Sequence, residues 1–215
     1  MQVEHKGWDW ANIRSDTWVN ISEEFLPVAL QWTQKFHSVL DIGAGKGRHA
    51  LFFAKNGFRA SAIDLAASSI EIIERAAKEA NVDIDARVHG MTQLPYGDGD
   101  FDCAVCFHTV YHTDYAGMKK AISEIGRVLK KGGEAYITFN SKENVKYHED
   151  KTTDGFTMIP ETGHEAGIPH CYVSEGDIRE LLKDFKIISL NKIQNFVRKE
   201  REVTGIHFFA HIRKD

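Results

Sequence analysis

Several things are scarce in this 215-residue sequence, and each shortage excludes something. It has only three cysteines, too few for a disulfide framework, so a reducing cytoplasm is the expected compartment. No apolar run approaches the roughly 18 residues of a membrane span. The opening stretch "MQVEHKGWDW" lacks the charged-then-apolar order of a secretion signal. No basic block stands out, and 27 basic against 31 acidic residues leave a net charge of −4. That balance argues against a nucleic-acid partner, which calls for a concentrated positive face. Internal repeats and low-complexity segments are absent.

What is present is an ordinary globular composition, 42% apolar and 27% charged, in a chain long enough for one sizeable core. Short apolar runs alternate with helical stripes. Val39–Ile42 reads as a buried strand, 48–55 as a helix, and "FRASAID" as a strand ending at Asp64. Ile70, Ile73, Ala77 and Ala80 then fall at helical spacing. Ile84–Val88 and "FDCAVCF" read as the third and fourth strands. Met118, Ile122, Ile125 and Leu129 form a further helix stripe running to Gly132–Gly133, and "EAYITFN" is the fifth strand. Residues 141–173 lapse into polar sequence with short strand-like patches at "GFTMI" and "HCYV". Ser174 and Asp177 have capping-box spacing at the head of a last helix. "KIISL" and "GIHFFAHI" close the chain with no helix between them, so one of the two is expected to run antiparallel. Ahead of Val39, "NISEEFLPVALQWTQKF" reads as a covering helix.

The expected architecture is therefore α/β: a Rossmann-like, doubly wound, seven-stranded and mostly parallel sheet. It has one antiparallel strand near the C-terminus and helices on both faces. One domain is expected over 1–215. It would comprise a helical cap (1–37), a cofactor-binding core (38–140), an insertion or lid (141–173), and a last helix with two strands (174–215).

The most informative stretch is "VLDIGAGKGRHA", Val39 to Ala50, with glycines at alternate positions between a strand and a helix start. Such a turn lies where open α/β sheets bind ligands, and glycine lets backbone touch a guest. Gly45, Gly47 and Ala50 satisfy the G-x-G-x-x-A dinucleotide form, and Asp64 follows Gly45 by 19 residues, near the spacing of a ribose-binding acid. Taken alone, the turn also suits S-adenosylmethionine, which has a ribose but no pyrophosphate.

"LDIGAGKG" resembles the D-x-G-x-G-x-G signature of class I S-adenosylmethionine-dependent methyltransferases. "AID", "LPYGDGDFDCAVC" and "IGRVLKKGGEAYITF" resemble that family's later blocks, in the same order. The likeness covers about Val39 to Phe139. It implies S-adenosyl-L-methionine as cofactor and S-adenosyl-L-homocysteine as product. Gly43, Gly45 and Gly47 would line the methionine part, and Asp41 would hold its amino group. Asp64 would bind the ribose diol, and Leu65 would pack on the adenine. Gly90 stands where the family often has an acid, so backbone around Gly90, Met91 and Thr92 would hold the adenine, with apolar contact from Met91. Phe107 and His108 would complete the cofactor wall.

For the reaction, the resemblance implies methyl transfer by in-line displacement to a small-molecule acceptor. His108 and His112, beyond the fourth strand, are the candidate bases. Tyr111, His112 and His170 are the candidate acceptor-side residues, and three tryptophans within Gly7–Trp18 either close over the cofactor or anchor the first helix. His164, His170 and Cys171 lack zinc-ligand spacing, so no metal is expected. Cys103 and Cys106, three apart in a strand, should point to opposite faces as buried filler. No membrane partner is expected, and the assembly is a monomer or homodimer. Two alternatives stand beside this reading: a cofactor-binding sensor or scaffold without turnover, and a nicotinamide-dependent oxidoreductase.

Overall fold

The computed structural model describes residues 8, 19–152, 154–162, 165–196 and 203–215. Helix α1 (Leu26–Trp32) is followed by β1 (Ser38–Ile42), α2 (Arg48–Lys55), β2 (Arg59–Asp64), α3 (Ala67–Glu79) and β3 (Ile84–Val88). Next come β4 (Phe101–Cys106), α4 (Tyr115–Val128), β5 (Leu129–Ser141), β6 (Thr157–Met158) and β7 (His170–Val173). Helix α5 (Glu175–Leu181) and strands β8 (Lys186–Phe196) and β9 (Val203–Arg213) complete the chain.

Strands β3, β2, β1, β4 and β5 lie side by side and parallel. Strand β9 then pairs antiparallel with both β5 and β8. The sheet has nine strands rather than the seven expected. The two extra strands come from the 141–173 segment, whose patches were too short to count as sheet members on pattern alone. Thr157 and Met158 pair with Cys171 and His170, and Tyr172 and Val173 pair with Asn140 and Ser141.

Local chemistry accounts for the boundaries. Asp114 caps α4 by accepting from the Gly117 amide at 2.7 Å, and Ser174 with Asp177 forms the expected capping box on α5. Helix α4 stops at Val128, earlier than the glycine pair, because Leu129 already pairs with Phe101 in the sheet. The N-terminal helix is shorter than expected and starts next to Pro27, a residue suited to a helix's first turn.

Alternate strand residues feed two cores. Leu40, Ile42, Ala104 and Cys106 face α4 and α5, where Met118, Ile125 and Ile178 are buried. Val39, Cys103 and Val105 face the other way, onto Phe25 and Trp32 around α1 and Phe53 of α2. Cys103 and Cys106 thus point to opposite faces, as their spacing predicts. Glu134 is buried on the second face, where Trp32 Nε1 and His211 Nε2 each meet its Oε2 at 2.7 Å and Lys35 Nζ donates to Oε1 at 2.6 Å. That carboxylate ties α1 to β5 and β9.

Candidate functional site

The carboxyl ends of the parallel strands open on one cavity of about 400 Å³. Its floor is the turn after β1. Gly43 and Gly47 adopt φ of +67° and +76°, the left-handed region that glycine tolerates best. Space enforces the choice as well: a Cβ on Gly43 would sit 2.2 Å from Thr109 Cγ2, and one on Gly47 would sit 2.6 Å from Ile73 Cγ1.

Five amides between Gly43 and Ala50 are committed inside the protein. Gly43 and Ala44 both donate to the Ile63 carbonyl at 2.8 and 2.9 Å, and Gly47 donates to Ala44 at 2.8 Å. Gly45 donates to Asp64 Oδ2 at 2.9 Å, and Ala50 in the first turn of α2 donates to Asp41 Oδ2 at 3.1 Å. A pyrophosphate is held by amides of this kind when they are free. Here these five are spent, and the turn presents glycine backbone beside the Lys46 and Arg48 side chains.

Asp64 closes the opposite wall. Its Oδ1 accepts from Ala66 and its Oδ2 from Gly45, both at 2.9 Å, leaving lone pairs on each oxygen for further donors. Burial pushes its carboxyl above the usual value, and the Ala66 and Gly45 amides oppose that push. Ser69 Oγ donates to the Gly45 carbonyl, so Gly45 is gripped from both sides. Leu65, Met91 and Phe107 add apolar surface beside it.

At the far end, Tyr111, His112, His108 and His207 line the cavity, with Lys146 and Glu165 beside them. Tyr111 and His112 have ring centroids 4.6 Å apart, and His108 and His207 4.7 Å. The Tyr111 hydroxyl lies 3.1 Å from His108 Nδ1, and His108 holds a positive φ of 52°, a costly conformation for a side-chain-bearing residue. Burial drives these imidazoles down: His108 well below its ordinary value, His112 to about 3, with His170 adding to the push, and His207 to about 4, with the Lys146 charge adding. All three are neutral near pH 7.

Of the residues expected from sequence, Gly43, Gly45, Asp64, Leu65, Gly90, Met91, Thr92, Phe107, His108, Tyr111 and His112 share this cavity. Asp41 and Gly47 lie beneath the turn and off the cavity surface; Asp41 is buried and faces His49 Nδ1 at 3.8 Å. His170 stands behind the wall, its ring 4.8 Å from that of His112. Trp8 lies on the wall, edge-on to His112 at 6.0 Å; Trp10, Trp18 and His164 lie outside the described residues. Sequence reasoning missed Thr109, Arg48, Lys146, Glu165 and His207. The signal for His207 was available: with His211 it puts two imidazoles on one face of an otherwise apolar strand. Among the described residues no three potential ligands converge as a metal cage.

Residues 39–133 match the family model of the methyltransferase domain. That stretch, a little under half of the chain, is a methyltransferase domain by this match. An uncharacterized methyltransferase of Bacillus subtilis, YcgJ, is 34% identical over 98 residues, which are 45% of this chain and 38% of that protein. The match thus spans about two-fifths of that relative's length. An S-adenosylmethionine-dependent methyltransferase of Methanosarcina mazei has a similar structure, with TM-score 0.74 and 22% identity over 91% of this chain and 98% of that one. A similar fold is found in the Burkholderia thailandensis 1,6-didemethyltoxoflavin-N1-methyltransferase, solved with bound 1,6-didemethyltoxoflavin and S-adenosylhomocysteine. There the TM-score is 0.67 at 18% identity, covering 89% and 77% of the two chains. At these identities the structural likenesses are likenesses of fold. No helix among the described residues is long and apolar enough to cross a membrane.

Proposed function

We propose that the chain transfers the methyl group of S-adenosylmethionine to a small acceptor. The observation that carries this reading is the spent turn: five amides bonded internally beside a carboxylate with lone pairs left over. That donor set suits a nucleoside without a pyrophosphate, and it disfavours the dinucleotide that the glycine spacing also permits. The Asp64 oxygens accept from the ribose diol, Leu65 and Met91 pack on the adenine, and the glycine backbone from Gly43 to Gly45 supports the methionine part. Bound in this way, the cofactor supplies an activated methyl group on a sulfonium.

The protein's remaining task is placement and exclusion of water. Tyr111, His112 and His207 hold the acceptor against the cofactor end, and near-attack placement supplies on the order of 7–11 kcal/mol of barrier lowering in favourable cases. Imidazoles held neutral down to about pH 3 or 4 are weak bases, because efficient proton abstraction calls for a group that titrates near the working pH. His108 and His112 therefore act as hydrogen-bond partners, and the nucleophile arrives with its lone pair available. A cytoplasmic setting belongs to the same reading, supported by three free, buried thiols.

The test is release of S-adenosylhomocysteine, followed by mass spectrometry, on incubation with S-adenosylmethionine and a panel of thiols, amines, phenols and carboxylates. Product above background with at least one acceptor is expected. Tight cofactor binding with no turnover across the panel would favour the sensor reading instead.

A further inference from the structure

The end of the cavity away from Asp64 is walled mainly by rings, and this bears on the acceptor's shape. Tyr111 and His112 lie with centroids 4.6 Å apart at 45°, and Tyr111 and His207 6.0 Å apart at 35°. Trp8 meets His112 edge-on, and His108 meets His207 edge-on. Aromatic partners prefer such tilted and edge-to-face contacts, so the wall offers both ring faces and ring edges to a guest. Nδ1 of His112 and Nδ1 of His207 are buried away from the cavity, so it is the ring surfaces that these residues offer a guest.

Position narrows the class. Lys146 and Glu165, both from the segment after β5, and Arg48 of α2 bring charges of both signs near this end, so the rings rather than a charge set its character. With the Gly43–Asp64–Met91 side given to the cofactor, the ring-walled end is the part of the cavity left for a small acceptor. We propose that the acceptor is a small, planar aromatic molecule packed against the His112, Tyr111 and His207 rings. This rests on the cofactor reading above.

The test uses probes of matched polarity that differ in planarity: 2-pyridone against 2-piperidone, and phenol against cyclohexanol. Each is titrated by ligand-observed NMR into protein saturated with S-adenosylhomocysteine. The aromatic member of each pair should bind about fivefold more tightly, the factor that one or two ring contacts supply. His112→Ala and His207→Ala should erase most of that preference while holding S-adenosylhomocysteine affinity within about twofold, and His207→Phe should restore the preference. Equal binding of the saturated members, or no binding of either aromatic probe to the loaded protein, overturns the proposal alone. Failure of S-adenosylhomocysteine to bind at all overturns the cofactor reading and this proposal with it.

Discussion

Replacing Asp64 separates what its carboxylate does for the turn from what it does for a ligand. In the free protein Asp64→Ala removes two acceptors, one for the Gly45 amide and one for the Ala66 amide, each at 2.9 Å. The Ala66 contact is only part-buried, so water replaces some of that loss, whereas the Gly45 contact is buried. The stability cost is about 1–2 kcal/mol. The ligand loses more. Hydrogen bonds to a charged group are worth about 1.5–3 kcal/mol, which corresponds to a 10- to 150-fold weaker S-adenosylhomocysteine affinity. Asp64→Asn restores at most one of the two amide contacts, because its NH2 then opposes the other N–H. It should bind weakly too. Isothermal titration gives the affinity, and urea unfolding of the same samples gives the stability. An Asp64→Ala protein that is less stable yet binds within about twofold of the parent would refute the argument, since the ribose would then lie elsewhere.

Other consequences are equally open to measurement. Gly43→Ala forces a side chain into left-handed backbone and onto Thr109, so unfolding should cost about 2–4 kcal/mol less, measured in urea; an unchanged midpoint would contradict the geometry. Glu134→Ala strands the buried Trp32 Nε1 and His211 and should destabilise by about 2–4 kcal/mol, with a matching drop in thermal midpoint. Burial depresses His112 to about 3 and His207 to about 4, so the unfolded chain binds their protons first and stability should fall as pH drops from about 6.5 towards 5. The fall should be on the order of 1–3 kcal/mol, read by urea unfolding, and smaller in His112→Phe and His207→Phe; a pH-independent midpoint across that range would count against the buried neutral rings.

The strand–helix alternation was legible because the central parallel strands β1, β2 and β4 are buried on both faces and bounded by turns, which leaves compact apolar runs such as Val39–Ile42. Helix α2 and strand β3 kept the ends expected of them, and the Ser174–Asp177 box formed. Strands β6 and β7 were hard to count because they are two and four residues long and depend on partners far away in sequence. The cofactor side of the cavity was readable for a related reason: Gly43 follows β1 directly, Asp64 ends β2, and Met91 lies just beyond β3. The opposite side was only half visible. His207 reaches it through the pairing of β9 with β5, where it stands opposite Asn140, and nothing local to residue 207 announces that neighbour. Lys146 and Glu165 arrive on an irregular segment without a period to read. Asp41 sits at the expected strand end, yet its Oδ2 turns inward to the Ala50 amide, a choice made by tertiary packing.

The most direct measurement is a crystal structure of the protein with S-adenosylhomocysteine bound. The account predicts ribose hydroxyls within hydrogen-bond distance of both Asp64 oxygens, the methionine part along Gly43–Gly45, and the sulfur facing Tyr111 and His112. A ligand lying with its ribose away from Asp64, or with its sulfur turned from the ring-walled end, would contradict it.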